Sequence, residues 1–433
     1  MRVALVNPRW SFDGSIYFGC REPHLPLEYG YAAALLRARG HEALIVDGQL
    51  RGLSNRTIKD EVAAFEPTMI VVTTAPSYLF WRCPPPELRV PQELCRDLRQ
   101  PGSARILVAV GPHASTTPRA TLRKLGVDAV VLGECEEVLA ELADAPLGEW
   151  DRIQSIAYRR EGEARVQGAP RAADLGALPA LAWSDATIAL HRHHHHRFDA
   201  AAEAPGAEIE ASRGCPYACT FCAKGNFRNQ WRSRPLATVL GELDRLITQG
   251  VRYVYFIDEI FIPSRPLLEA LAERDVVFGV QMRIDQWSAA MLDLLGEAGC
   301  VSIEAGVESV TPEGRALLAK RCKLSTDELA DRLVHVKQRV PFVQANLLDS
   351  HTDEPEAVQR FRERLQRSGV WSNEPVPMFH YPGSPGYSRR WGRPDEVAWE
   401  RAVGDYLQKN GRFSDIQESQ PLPIEALEER PHG

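Results

Sequence analysis

The stretch Ser212-Arg-Gly-Cys-Pro-Tyr-Ala-Cys-Thr-Phe-Cys222 holds three of the nine cysteines in this 433-residue chain. Cys215, Cys219 and Cys222 are separated by three and then two residues, so three thiols share one short loop. Thiolates bind iron–sulfur clusters, and a 4Fe-4S cluster normally takes four of them. Three ligands would leave one iron open, and we expect the amino and carboxylate groups of a ligand to bind there.

The surrounding residues predict a strand, this loop and a helix. We expect Glu208 to Ser212 to end a strand and Pro235 to Gln249 to form a helix. The helix follows from apolar residues at helical spacing, which are Leu236, Val239, Leu240, Leu243, Leu246 and Ile247. Because α/β barrels place their active sites at the carboxyl ends of parallel strands, the cysteine loop is expected at such an end.

Two other interpretations of the cysteines stay open. A structural zinc site needs four ligands, and no second Cys-x2-Cys pair follows downstream. The run His191-Arg-His-His-His-His196 lies upstream and offers a fourth ligand, although a polar run is more often a solvated or bridging loop. A metal-binding or electron-transfer module without catalysis is therefore an alternative to an enzyme.

Composition and charge narrow the classes of function. The chain has 51 Lys and Arg against 58 Asp and Glu, a net charge of −7, which argues against a nucleic-acid partner. We expect no membrane segment, because no run of about 18 apolar residues occurs. The cysteines outside the loop show no disulfide-like spacing, so the sequence predicts a cytoplasmic protein in reducing surroundings.

The first 145 residues predict a doubly wound, Rossmann-like α/β domain. Short apolar runs of the parallel-sheet type alternate with helical stretches such as 27–39 and 54–65. The predicted strands are Val3 to Val6, Ala43 to Val46, Ile70 to Thr73, Ile106 to Val110 and Ala129 to Leu132. In such a sheet the ligand site lies beyond the carboxyl ends of the strands.

The cysteine loop resembles that of the radical S-adenosylmethionine (SAM) enzymes, which have Cys-x3-Cys-x2-Cys with an aromatic residue before the last cysteine, here Phe221. The runs 108–115 and 127–136 resemble the cobalamin (B12)-binding-type domain that precedes many radical SAM domains. The resemblance implies three cofactors: a 4Fe-4S cluster on the three cysteines, SAM, and cobalamin.

For the cobalamin-type pocket, the resemblance implies the residues Ser77, Tyr78, Gly111, His113, Gly133 and Glu134. The family's Asp-x-His-x-x-Gly motif, which supplies a histidine to cobalt, is replaced here by residues 7–14, Asn-Pro-Arg-Trp-Ser-Phe-Asp-Gly. We therefore expect His113 to be a hydrogen-bonded loop residue near the sheet edge rather than a cobalt ligand.

For SAM, the resemblance implies contacts from Phe221, Asp258, Glu259, Arg283, Gly306, Glu308 and Ser309. An ion pair inside the barrel is an equal alternative for Arg283. Lys320 and Arg321 match a basic pair that relatives often have on the following helix. The segment 347–353 departs from the family's Pro-Gly-Glu-Thr loop, which leaves Asp349 and His351 as weak candidates for substrate contacts.

By this resemblance the chain has four segments: a cobalamin-binding-type domain at 1–145, a connector with the histidine run at 146–206, a partial (β/α)6 radical SAM barrel at 207–390, and a helix and tail at 391–433. The expected activity is reductive SAM cleavage with cobalamin-dependent methylation of an unactivated carbon in a small molecule of secondary metabolism. Rearrangement and 3-amino-3-carboxypropyl transfer stay open. A low-potential donor of the flavodoxin or ferredoxin type is the expected protein partner.

Overall fold

The computed structural model describes residues 1–11, 23–76, 84–99, 105–145, 147–192, 204–226 and 228–410. Two compact units are present. The first contains the described residues of 1–183 together with 222–229 and 380–408. The second contains the described residues of 184–221 and 230–379 together with 409–410. One of the points at which the chain passes from one unit to the other lies between Phe221 and Cys222.

The first unit is built on a sheet that has seven strands among its described residues, in the order β2-β1-β3-β4-β5-β6-β7. Strands β1 to β5 are parallel, as the apolar runs predict, and β6 and β7 join antiparallel. The strands are β1 Arg2–Asn7, β2 Glu42–Asp47, β3 Met69–Thr73, β4 Ile106–Val110, β5 Ala129–Val131, β6 Ile156–Arg160 and β7 Glu163–Gln167.

Helices cover this sheet and bury its apolar side chains. Ser54 begins one of them by accepting a hydrogen bond from the backbone nitrogen of Thr57, which satisfies a donor that the helix leaves open. The helices are α1 Leu27–Ala38, α2 Asn55–Phe65, α3 Arg89–Leu98, α4 Pro112–Thr116, α5 Pro118–Leu125 and α6 Glu136–Asp144.

The hairpin β6–β7 lies within the predicted connector 146–206 and extends the first sheet. Its two-residue turn is Glu161-Gly162, and both residues have positive φ (53° and 85°) as a tight hairpin turn of the primed type requires. The connector is thus partly a sheet edge.

Residues 380–408 return to the first unit through α14 Pro385–Trp391 and most of α15 Ala398–Asn410. Trp399 is buried and its indole Nε1 donates to the hydroxyl of Thr117 at 3.2 Å. Acidic side chains of this segment also pair with α5, since Glu396 contacts Arg123 and Glu400 contacts Lys124. The predicted helix near 395–410 is therefore present, and it packs on the first unit.

The second unit contains the parallel sheet of the predicted partial barrel. Its described strands follow the order β15-β14-β13-β12-β11-β8, with β16 paired to β14. The members are β8 Gly206–Ile209, β11 Tyr253–Phe256, β12 Val277–Met282, β13 Cys300–Glu308, β14 Phe342–Asp349, β15 Trp371–Ser372 and β16 Val376–Pro377. A separate short ribbon pairs β9 Ser212–Arg213 with β10 Arg232–Ser233.

The helices of the second unit are amphipathic and follow the strands, as in other α/β folds. Ser325 and Glu328 form a reciprocal capping box at the start of one of them. These helices are α7 Asp185–Leu190, α8 Leu236–Thr248, α9 Arg265–Ala272, α10 Ala289–Glu297, α11 Pro312–Leu317, α12 Thr326–Lys337 and α13 Pro355–Arg367. None of the helices in the described part of the chain is long and apolar enough to span a bilayer.

Candidate active site

The cysteine loop begins just past the carboxyl end of β8, where the sequence predicts it. All three thiols are partly exposed. The backbone nitrogen of Thr220, within the loop, donates to the carbonyl of Leu318 at 3.0 Å. Before the loop, the buried Arg213 binds both carboxylate oxygens of Glu210 through its Nε, at 2.9 and 2.8 Å. The thiols therefore sit on a loop that is anchored on both sides of Cys215.

Two acidic residues after β11 brace the start of this loop. The buried carboxylate of Asp258 accepts hydrogen bonds from the backbone nitrogen of Ala211, at 2.9 Å, and from the hydroxyl of Ser212. Glu259 accepts from the backbone nitrogen of Gly214 at 2.7 Å. Burial raises the pKa of Asp258 to about 7. The structure thus gives both residues contacts with the cysteine loop, and their contact with SAM stays a prediction.

The surroundings of Cys219 shift the pKa of its thiol. Burial raises the pKa of its thiol, and the negative charge of Glu308 acts in the same direction. Lys320 and Arg283 act in the opposite direction, because positive charge favours the thiolate. The two cations are thus placed to offset the charge that builds up when the thiols bind iron.

Arg283 follows β12 and is almost fully buried. Its guanidinium binds Asp285 with two hydrogen bonds, at 3.1 and 2.8 Å, and donates to the carbonyl of Lys320 at 2.6 Å. It also stacks 3.9 Å above the ring of Tyr217, which belongs to the cysteine loop. The predicted ion pair is therefore present, and the remaining nitrogen, Nη1, is buried without a hydrogen-bond partner.

The end of β13 brings Gly306, Glu308 and Lys320 together. The ammonium of Lys320 donates to the carbonyl of Gly306 at 2.7 Å and contacts the carboxylate of Glu308. Glu308 has a left-handed backbone (φ 63°) beside an irregularity in the strand register. A Cβ atom on residue 306 would overlap the Glu308 carboxylate, so glycine is required here for that carboxylate to fold back.

Ser309 has a different environment from these neighbours. Its side chain is fully buried, and its hydroxyl donates to Asp353 Oδ1 at 2.8 Å. Asp353 also accepts from the backbone nitrogen of Val310, at 2.8 Å. The structure therefore gives Ser309 the role of fixing the β13 loop to the segment after β14. Its contact with SAM stays a prediction.

The remaining predicted residues lie in the cysteine loop, after α11, and at or just after the end of β14. Phe221 is half-buried in the cysteine loop. Lys320 and Arg321 lie after α11 rather than on a helix, which corrects that expectation. His351 and Asp349 form an exposed pair at 3.1 Å. Tyr217, Asp285 and Asp353 were not predicted as site residues; the aromatic residue inside the cysteine loop and the Arg-x-Asp spacing at 283–285 were the available signals.

In the first unit, both pocket glycines face groups of the protein itself. Gly111 has φ 130°, and a Cβ atom there would overlap the hydroxyl of Thr74. Gly133 has φ 87°, and a Cβ atom would overlap the backbone of Arg171, to which it is joined by an isolated bridge. These glycines are therefore explained by close packing of the chain, with or without a cofactor.

The side chains of His113 and Glu134 are also engaged internally. His113 lies in α4, its Nε2 is 2.9 Å from the carbonyl of Pro85, and its ring lies 4.4 Å from that of Trp399. Burial lowers its pKa to about 3. Glu134 pairs with Arg228 at 3.1 Å and accepts from the backbone nitrogen of Ala173. His113 is thus a helical, buried residue, and Ser77 and Tyr78 lie outside the described residues.

The histidine run has one described member with a clear structural role. His191 is buried, with Nδ1 2.7 Å from the carbonyl of Gly206 and Nε2 3.2 Å from the carboxylate of Glu208. Residues 193–196 lie outside the described part. Among the described residues, no three His, Cys, Asp or Glu side chains converge to hold a single metal ion. Thiolates of a four-iron cluster bind different irons, so they need not converge on one point.

Two family models match the chain. The B12 binding domain matches residues 21–143, and the radical SAM superfamily matches residues 209–361. An uncharacterized methyltransferase from Pyrococcus horikoshii is 24% identical over 324 residues, 72% of this chain and 66% of that protein. The anaerobic magnesium-protoporphyrin IX monomethyl ester cyclase from Rubrivivax gelatinosus is 22% identical over 352 residues, 77% of this chain and 60% of that protein. The chain thus spans less than two thirds of the length of these two curated relatives.

The fold also matches that of a solved protein. The radical SAM methyltransferase TsrM from Kitasatospora setae, with cobalamin and a 4Fe-4S cluster bound, superposes with a TM-score of 0.70 at 20% identity. The match covers 89% of this chain and 73% of that one. Together with the two family models, this likeness confirms the predicted order of a Rossmann-like B12-binding-type domain followed by a partial radical SAM barrel.

Proposed function

Because this chain is a radical SAM enzyme with an N-terminal B12-binding-type domain, we propose that it cleaves SAM reductively at a 4Fe-4S cluster on Cys215, Cys219 and Cys222. We further propose that it transfers a methyl group to an unactivated carbon of a small molecule. When bound, the cluster would supply the electron for carbon–sulfur cleavage and cobalamin would supply the methyl group.

The observation that best supports the SAM site is the Arg283 side chain. Its Nη1 is buried and has no hydrogen-bond partner, although the same guanidinium stacks on Tyr217 of the cysteine loop. A buried donor of this kind is costly unless a ligand satisfies it. A carboxylate suits it well, because charge-assisted hydrogen bonds to guanidinium are strong. We assign it to the SAM carboxylate.

The Glu308 and Lys320 pair suits other polar groups of the same ligand. Glu308 offers carboxylate oxygens that can accept from an ammonium or from ribose hydroxyls. Lys320 neutralises that carboxylate and also donates to Gly306, which holds the turn in place. These residues bind and orient, while Asp258 and Glu259 keep the cysteine loop in position. The chain thereby supplies orientation rather than the difficult chemistry.

Cobalamin would have to be held without an imidazole from His113. That ring is buried against the Pro85 carbonyl and Trp399. The described pocket residues therefore offer no cobalt ligand, and support for cobalamin rests on the matching domain model and on the fold.

The proposed partners are a small-molecule substrate and a low-potential flavodoxin or ferredoxin. The solved relative TsrM has been observed with tryptophan as substrate and a SAM analogue. A thiolate-bound cluster is best kept in reducing surroundings, which supports a cytoplasmic location.

The cluster assignment is tested by Cys219→Ala with Cys322→Ala as the matched control. Both cysteines are partly exposed, but Cys322 lies outside the loop. After anaerobic reconstitution, we expect Cys219→Ala to lose bound iron and SAM cleavage, and Cys322→Ala to retain both. Equal iron content in the two variants would contradict the assignment.

The reaction type is tested by mass analysis of the SAM-derived products of the reconstituted protein, together with measurement of bound corrinoid. Methylation predicts S-adenosylhomocysteine and 5′-deoxyadenosine. Appearance of 5′-methylthioadenosine would instead indicate 3-amino-3-carboxypropyl transfer, and 5′-deoxyadenosine without S-adenosylhomocysteine would indicate a rearrangement or ring closure.

A further inference from the structure

Three polar side chains lie at one level of the second sheet, on three neighbouring strands. Gln281 of β12 is in register with Glu304 of β13, and Glu304 is in register with Gln344 of β14. Side chains in register on parallel strands point to the same face, and neighbouring strands are about 4.8 Å apart. The three side chains therefore form a row, which we call the acceptor row.

The acceptor row lies on the polar face of the sheet. On the same strands the alternate residues are apolar and buried, among them Val280, Ile303 and Val343. Gln344 is fully buried and Glu304 is 5% exposed. Polar groups are rarely buried so completely without partners, because removing them from water is costly.

The row presents hydrogen-bond acceptors. Gln344 uses its Nε2 to donate to Asn346 Oδ1, at 2.6 Å, and its Oε1 is buried without a partner. The Oε1 of Gln281 is likewise buried without a partner. Between them stands the carboxylate of Glu304, which accepts from the hydroxyl of Tyr255 at 3.3 Å. Two unsatisfied amide oxygens thus flank a buried carboxylate.

The position of the row relates it to the site described above. Gly306 follows Glu304 by two residues, and Arg283 follows Gln281 by two residues. Two residues of a strand span about 7 Å, so the row lies about that distance from the proposed SAM contacts, toward the amino ends of the strands. A molecule held at the row would extend toward those contacts, which is where a substrate must lie.

We propose that the acceptor row binds a protonated amino group of the substrate. This inference rests on the proposed function, because that function identifies the bound molecule as the substrate. An ammonium group carries three donors and a positive charge. It satisfies Gln281 Oε1 and Gln344 Oε1 and pairs with Glu304 at the same time. A carboxylate or phosphate group of a substrate lacks the donors that the Gln281 and Gln344 oxygens require.

Binding of benzylamine to the reconstituted protein with SAM tests this site, with benzyl alcohol as the uncharged analogue. Calorimetry should show benzylamine binding about tenfold or more tighter than benzyl alcohol, because an ammonium gains charge-assisted hydrogen bonds. Glu304→Gln and Gln344→Leu should each weaken benzylamine binding about tenfold and leave benzyl alcohol unchanged. Glu297→Gln, on the exposed end of α10, is the control for loss of one carboxylate.

The amine site would be overturned if the wild-type protein did not bind benzylamine or bound the two probes with equal affinity. It would also be overturned if Glu304→Gln, with normal iron content, bound benzylamine as tightly as the wild type. Gln344→Leu provides a second route if Glu304→Gln fails to fold. The proposed function fails separately: if the wild-type protein binds benzylamine through Glu304 but does not cleave SAM, the amine site stands and the reaction assignment falls.

Discussion

Glu259 accepts a hydrogen bond from the backbone nitrogen of Gly214 at 2.7 Å, and Gly214 directly precedes the first cysteine of the loop. A carboxylate from the end of one parallel strand therefore fixes the backbone of the loop that follows the neighbouring strand, since β11 pairs with β8. This link joins two segments that the sequence separates by 45 residues.

Replacing Glu259 should show whether its hydrogen bond or its negative charge supports the cysteine loop. Glu259→Leu leaves the Gly214 nitrogen without its acceptor, at a cost of about 1–3 kcal/mol, so we expect less iron bound after reconstitution. Glu259→Gln keeps an acceptor and should retain iron close to the wild-type content. Iron analysis of the two purified variants checks this, and equal iron loss in both would show that the negative charge, rather than the hydrogen bond, matters.

Asp258 should make stability depend on pH. Burial raises its pKa from 3.8 to about 7, so the folded protein keeps a proton that the unfolded chain releases above pH 3.8. The contribution of Asp258 to the free energy of unfolding is therefore greatest below pH 3.8. It falls as the pH rises toward about 7 and is constant above that. The shift corresponds to about 4 kcal/mol at most.

The corresponding experiment compares urea midpoints of the metal-free protein at about pH 5 and about pH 8. We expect Asp258→Asn to lose less stability than wild type between these two conditions, because its amide does not titrate. Asp275→Asn, on a side chain that is 88% exposed, should behave as wild type. An identical pH dependence in Asp258→Asn and wild type would contradict the raised pKa.

Gly133 should tolerate no side chain. Gly133→Ala must adopt φ near 87° and also displace the backbone of Arg171. Gly126 also has positive φ, at 65°, but no atom lies within 4 Å of a Cβ atom placed there. We expect Gly126→Ala to cost about 1 kcal/mol from backbone strain and Gly133→Ala about 2 kcal/mol more. Denaturant midpoints measure both, and equal losses would indicate that the Arg171 backbone yields easily.

His113 should not coordinate cobalt. Its Nε2 carries the proton because it donates to the Pro85 carbonyl, and the pKa near 3 keeps the ring neutral at ordinary pH. His113→Gln keeps an amide donor for that carbonyl. In protein loaded with cobalamin, we expect the electron-spin spectrum of reduced cobalt to be the same in wild type and His113→Gln. A nitrogen splitting that the substitution removes would show that the imidazole reaches the metal.

Much of the fold was predictable because its signals are local. The five apolar runs of the first domain became β1 to β5, and predicted helices such as 54–65 differ from the structure by only a residue or so. The hairpin β6–β7 was missed because each of its strands has only five residues, although Glu161-Gly162 between them was a usable turn signal. The return of residues 380–408 to the first unit leaves no local signal at all, because it depends on packing around Trp399.

The sequence by itself determined that three thiols share one loop after a strand, since covalent spacing keeps residues 215–222 together in any fold. Only the tertiary structure decided what the charged residues near that loop do. Arg283 pairs with Asp285 yet leaves one nitrogen buried without a partner, whereas Ser309 is directed to Asp353. The reason is physical: hydrogen bonds between distant segments depend on strand order and register, which place side chains together regardless of their separation along the chain.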